Sequence, residues 1–147
     1  MSPKRLTMLS VVVVLLVAAV SAARTPTDYS ALKGTWVNST SGLFSKIVIG
    51  TDSTGRLFLH AYGACSPTPC DWGTVYPSAW SGSPFSASAA ALIATYGSSY
   101  SSSMRIITVN LVYVTGQPTR LRVNCFTQFN LRGDPRYNYW ATEMMSK

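Results

Sequence analysis

Catalytic side chains are scarce in this chain. It has one histidine and five acidic residues among 147, against twelve lysines and arginines. A Ser/His/Asp triad would have to use His60, and no Gly-x-Ser-x-Gly elbow offers it a nucleophile. No glycine pattern of the phosphate-cradling kind occurs. Paired carboxylates would have to come from Asp28, Asp52, Asp71, Asp134 and Glu143. Asp52 and Asp134 lie in turn sequences, where aspartate is ordinary. Asp71 and Glu143 remain as acids able to face inward, each with a structural alternative. Asp71 can accept backbone N–H groups after the loop before it, and Glu143 can pair with an arginine. A hydrolase or lyase built on His60 with Asp71 or Glu143 is therefore the most poorly equipped function class. Runs of like charge are absent too, and a nucleic-acid surface normally clusters its basic groups. No nucleic-acid partner is expected; weak attraction to acidic glycans or anionic surfaces fits the scattered charge better.

The chain has one long apolar run, Leu9–Val20, behind a positive start at Lys4 and Arg5. Small residues follow in Val20-Ser21-Ala22-Ala23. This is the pattern of a secretory signal cleaved after Ala23, and the run is shorter than the roughly 20 residues a spanning helix needs. Residues 1–23 read as signal peptide and 24–147 as a single secreted domain. Removing 23 of 147 residues leaves 124, with ten basic side chains against five acidic ones and a net charge of +5. The expected location is extracellular, or periplasmic in a bacterium, with no stable membrane span after cleavage. Oligomeric state is not legible.

The three cysteines all lie beyond the signal. An oxidising compartment favours a disulfide. Cys65 and Cys70 flank Ser-Pro-Thr-Pro, a turn-favouring stretch, and a bridge across so short a loop contributes no more than about 2 kcal/mol. Its value is local shape. Cys125, on the face of Leu121 and Val123, reads as a buried free thiol; the competing pairing joins it to Cys65 or Cys70. His60, Cys65, Cys70 and Asp71 match no common zinc spacing, so no metal and no cofactor is expected.

Alternation, not helical periodicity, recurs along the chain. Eight strands are expected: Gly34–Thr40, Phe44–Ile49, Arg56–Tyr62, Asp71–Tyr76, Ala89–Tyr96, Met104–Val114, Thr119–Phe129 and Arg136–Met145. Pro77–Ser88 reads as a long loop, and the alanines of Ala89–Tyr96 leave helix open as an alternative there. One face carries Ile107, Val109 and Leu111 and, on the next strand, Leu121, Val123 and Cys125. The opposite faces are mixed, as a half-solvated antiparallel sheet requires. The expected fold is all-β: a single antiparallel up-and-down barrel of about eight strands, with a β-sandwich as the alternative.

Gly34-Thr35-Trp36 resembles the opening strand of the lipocalin and avidin-type (calycin) barrels, whose Gly-x-Trp indole plugs one end. Gly34–Asn38 is similar to the avidin opening in particular, where the asparagine lines the cavity. That resemblance implies that Asn38, and with it Tyr62, faces the interior. The later tryptophans that wall in biotin in avidins have no counterpart in Met104–Phe129. Cys65-Ser66-Pro67-Thr68-Pro69-Cys70-Asp71-Trp72-Gly73 resembles a C-x-P-x-x-C-D-W-G motif of largely uncharacterised, often secreted domains. Arg136–Tyr139 and Glu143 are compatible with the Arg-x-Tyr…Glu ending of those domains. The motif implies structural roles for Asp71, Trp72 and Gly73 and no particular activity.

Tryptophan supplies the remaining candidates. Trp36 and Trp140 read as core near a barrel end, and Trp72 as a cap on the Cys65–Cys70 loop. Trp80, in a Ser-Gly-Pro loop, reads as an exposed contact residue. Asn38-Ser39-Thr40 is also a glycosylation sequon, which would place Asn38 outside. The expected function is non-enzymatic: a secreted barrel binding a small apolar or amphipathic molecule inside, or an extracellular partner at its loops, with Asn38, Tyr62 and Trp80 as ligand-binding residues. The alternative is a surface or matrix interaction module whose barrel is filled by side chains.

Overall fold

A computed structural model describes residues 24–98 and 101–147; the expected signal peptide lies outside them. Among the described residues there is no helix. Nine strands follow one another: β1 Gly34–Val37, β2 Phe44–Thr51, β3 Leu57–Gly63, β4 Cys70–Val75, β5 Ser78–Ser81, β6 Ala89–Tyr96, β7 Ser103–Val112, β8 Arg120–Phe129 and β9 Tyr139–Met145. They form two antiparallel sheets, β1-β2-β3-β4 and β5-β6-β7-β8-β9, each in sequence order.

Two expectations change. Pro77–Ser88 is not all loop, since Ser78–Ala79–Trp80 pair with Ile93–Leu92–Ala91. Four residues without a clear alternation carry too little pattern to announce a strand; the neighbouring β6 organises them. Ala89–Tyr96 is strand throughout, because alternate side chains Leu92, Ala94 and Tyr96 are buried, and that tertiary reward outweighs alanine's helical preference.

The hydrogen-bonded ladder is interrupted between β4 and β5, where Tyr76-Pro77 carries the chain from one sheet to the other. On the other side the sheets touch through backbone. Val37 N–H donates to Ser146 O at 2.8 Å, and Ser146 N–H donates back at 3.0 Å. The two sheets share one core. Trp36, Ile47, Leu59, Leu92, Ile107, Val109, Leu121, Val123 and Met145 form a contiguous buried cluster. Full burial of each such aliphatic side chain contributes about 1.5–3 kcal/mol. The Trp36 indole N–H donates to Leu32 O at 2.8 Å, so the largest core side chain keeps its polar atom satisfied. Cys125 is buried and free among them.

Two polar devices tie the sheets together. The β3–β4 pairing slips between His60 and Tyr62, leaving Ala61 without a β4 partner. Tyr96, from the other sheet, brings its hydroxyl to that gap and accepts the Ala61 N–H at 3.1 Å. The same hydroxyl lies 3.2 Å from Leu59 O and 3.1 Å from Gly73 O, carbonyls to which it can donate. At the other seam the Glu143 carboxylate accepts the N–H groups of Leu43 and Phe44 and the amide of Asn38. Glu143 thus caps a loop rather than pairing with an arginine. A Cβ at Gly42 would sit 2.5 Å from Glu143 Oε1, so a larger residue there would push the carboxylate out of this position.

Candidate functional site

The break between β4 and β5 opens a cleft of about 880 Å3. Its walls follow from local chemistry. The polar lead is held against the start of β6: Thr27 and Asp28 N–H donate to Ala87 O, and Ala89 N–H donates to Asp28 O. This holds Arg24–Tyr29 along one side. The β2–β3 turn supplies the second side. Asp52 Oδ1 accepts N–H bonds from Thr54 and Arg56 at 2.9 and 3.0 Å and the Thr54 hydroxyl at 2.7 Å. The Thr54 hydroxyl, with the backbone N–H groups and Arg56, holds the Asp52 carboxyl below its ordinary range. The turn thereby aims Arg56 into the cleft. β5 and Gly82–Pro84 complete the lining.

The chemistry inside is aromatic and cationic. Tyr29, Tyr76 and Trp80 line the cleft with Arg24 and Arg56. Trp80 is 58% exposed and Tyr76 49%. Arg56 lies over the Tyr76 ring with its Cζ 3.7 Å from the centroid, a cation–π contact. The ion pairs formed by described residues are His60–Asp71 and Arg136–Asp134, so neither cleft arginine is in a close ion pair among them, although Arg56 acts through space on the Asp52 carboxyl.

A second constellation lies on the outer face of β3 and β4. His60 Nε2 is 2.6 Å from Asp71 Oδ1, and His60 Nδ1 is 2.8 Å from Thr74 Oγ1. Asp71 Oδ1 also accepts the Gly73 N–H at 2.7 Å. That bond, followed by the one to His60, holds the Asp71 carboxyl below its ordinary value. Tyr62 stacks on His60 with centroids 4.5 Å apart, and Lys46 Nζ sits 4.0 Å over the Tyr62 ring. Both imidazole nitrogens are engaged within the sheet, and His60, Asp71 and Thr74 line none of the three clefts described. The arrangement fixes strand register at the bulge.

The structure separates the residues read as ligand-binding. Trp80 lines the cleft. Tyr62 alternates with buried Leu59 and Ala61 and points outward, against the interior position implied by the avidin-like opening. Asn38 is half-buried just after β1, its amide donating to Glu143 at 2.9 Å and its Oδ1 accepting Thr40 N–H at 3.0 Å, at the seam between the sheets rather than in an interior cavity. Cys65 and Cys70 form a disulfide, which removes the thiolates a zinc site would have used. Gly34 opens β1 at φ +133° and Gly73 follows Asp71 at φ +81°, backbone that only glycine adopts readily. Trp72 does more than cap the loop: it packs on Phe44 and Tyr96 at the end of the core. Trp140 is not core. It is 66% exposed, stacked on Phe126 beside a smaller cleft of about 300 Å3.

Arg24, Tyr29, Arg56 and Tyr76 were not singled out by sequence. Arg56 had one usable signal, its place at the end of an Asp-x-x-Gly turn. The others come together only through the crossing between sheets. Comparison with known proteins leaves the reading to geometry: no protein-family model, curated protein or solved structure matches the chain.

Proposed function

We propose that this protein is an exported, non-enzymatic binding module whose barrel-like body is filled and whose ligand sits in the external cleft between β4 and β5. The observation that carries this is the division between inside and outside. Inward side chains of both sheets pack into one buried cluster, while the cleft of about 880 Å3 runs along Trp80 outside it. Meandering strand order, with Val37 and Ser146 paired across one seam, supports reading the two sheets as halves of a barrel opened at the other seam. Closure there would abolish the edges that invite aggregation, and the cleft occupies that gap. The Cys65–Cys70 bridge is consistent with an oxidising compartment.

The test is binding of the processed chain to arrays of extracellular glycans and peptides, with Trp80→Ala in parallel. Capture that Trp80→Ala abolishes is the expected result. A stoichiometric apolar molecule retained in native mass spectrometry, and indifferent to Trp80→Ala, would overturn the filled-body reading.

One observation favours a second reading, hydrolysis by His60, since Asp71 and a hydroxyl flank the imidazole. His60 lines none of the three clefts described, so none of them would hold a substrate above the histidine. Turnover of generic esters or glycosides that His60→Ala removes would establish it.

A further inference from the structure

We infer that the β4–β5 cleft recognises an acidic saccharide, a pyranose carrying a carboxylate or sulfate. The inference rests on the binding-module reading above and names the ligand class of that same site.

Two complementary chemistries converge there. The exposed Trp80 offers flat apolar surface, which suits the C–H face of a pyranose. Arg24 and Arg56 supply charge: neither is in an ion pair with a carboxylate among the described residues, and Asp52 acts on the Arg56 guanidinium only through space. Arg56 is the better placed of the two. Asp52 fixes its backbone from the turn side, and Tyr76 stacks under its guanidinium. A guanidinium held against a ring loses less freedom on binding, and a guanidinium fork matches both oxygens of a carboxylate or sulfate. A neutral sugar would leave the two arginines solvated and unused. A peptide of Asp and Glu alone would satisfy them but has no ring to lay against Trp80. The ligand that uses both features has an anion and a saturated ring within one residue of each other. A cleft of about 880 Å3 is in the range that holds a short oligosaccharide.

The experiment titrates the processed chain with a uronic-acid trisaccharide, its methyl ester, a sulfated trisaccharide and an Asp/Glu hexapeptide. Binding is read by calorimetry and by the Trp80 indole resonance. The acid or the sulfate binds and moves that resonance, and whichever binds identifies the anion. Methyl esterification weakens binding at least about tenfold, and higher salt weakens it further. Arg56→Gln and Trp80→Ala each lose at least about tenfold; Arg24→Gln loses less. Arg56→Lys, which keeps charge but not the fork, falls between wild type and Arg56→Gln. Unchanged circular dichroism and melting show that each variant is folded.

Equal binding of the methyl ester, or a preference for the hexapeptide, overturns the acidic-sugar inference while the cleft survives as a binding site. Acid binding that ignores Arg56→Gln and Trp80→Ala, or no binding by either anionic sugar, overturns it as well. A Trp80-dependent ligand on the arrays then tells whether the broader reading stands.

Discussion

Asn38 and Glu143 stand 105 positions apart in the chain and meet at 2.9 Å, amide to carboxylate. The contact joins the end of β1 to β9 and, through Leu43 and Phe44, to the start of β2. Charge-assisted bonds of this kind are worth more than neutral ones, and the N–H groups left behind carry a desolvation cost. Glu143→Ala is expected to lose about 3 kcal/mol and Glu143→Gln about 1 kcal/mol, measured by urea unfolding. Equal losses for the two would mean that charge plays no part in the clamp.

Tyr96 predicts a similar cost at the opposite seam. Its hydroxyl serves the Ala61 N–H that the β3–β4 bulge leaves unpaired. Burial pushes the phenol far above its ordinary pKa, so it remains a neutral donor and acceptor through the accessible pH range. Tyr96→Phe should cost about 1–3 kcal/mol and speed hydrogen exchange at Ala61. Slow exchange there in the variant would count against the hydroxyl as its acceptor.

The cysteines separate by alkylation. Cys125 is buried beside Thr127, and burial raises its thiol, which leaves little reactive thiolate near neutrality. Native protein should take up no iodoacetamide on the timescale of minutes, and unfolded, unreduced protein one equivalent. Replacing Cys65 and Cys70 with serine should lose no more than about 2 kcal/mol, because the closed loop is short. Three equivalents in unreduced protein would contradict the bridge.

Asp71 sets an acid dependence. Its carboxyl is held below the ordinary value by Gly73 N–H and then by His60. A depressed folded pKa means that the stabilisation is complete above the unfolded value of about 3.9. It is lost as pH falls through the lower folded value. Asp71→Asn should therefore flatten the stability profile as pH falls below about 4, followed by unfolding midpoints across the acid range. A profile as steep as wild type would assign the acid sensitivity to other carboxylates.

Arg105 makes the opposite prediction. Its Cζ lies 4.6 Å over Trp72, yet its Nε is buried without a partner among the described residues. An unsatisfied buried donor is a liability. Arg105→Met, which keeps the stem, should match or exceed wild-type stability by up to about 1 kcal/mol, whereas Arg105→Ala loses the packing on Trp72. A loss above about 2 kcal/mol in Arg105→Met would instead point to an anion held at that guanidinium.

Alternation along β3, β7 and β8 was legible in the residues themselves, because a strand buried on one face must repeat every second position. So were the core positions Trp36, Ile107, Val109, Leu121, Val123 and Cys125, the Cys65–Cys70 pairing across a proline turn, and Asp71 as a backbone acceptor. Pattern of that kind is local. Other features had no local signature. β5 exists because β6 offers it an edge, Glu143 turns to loop N–H groups that chain closure brings near, and Tyr62 faces solvent on the register that buries Leu59 and Ala61. Trp140 looks like core in composition but lies outside, since which face of β9 is wet depends on its pairing with β8. The cleft is the clearest case. Arg24, Arg56, Tyr76 and Trp80 come from four separate segments, and only the crossing of the chain between two sheets brings their side chains to one place.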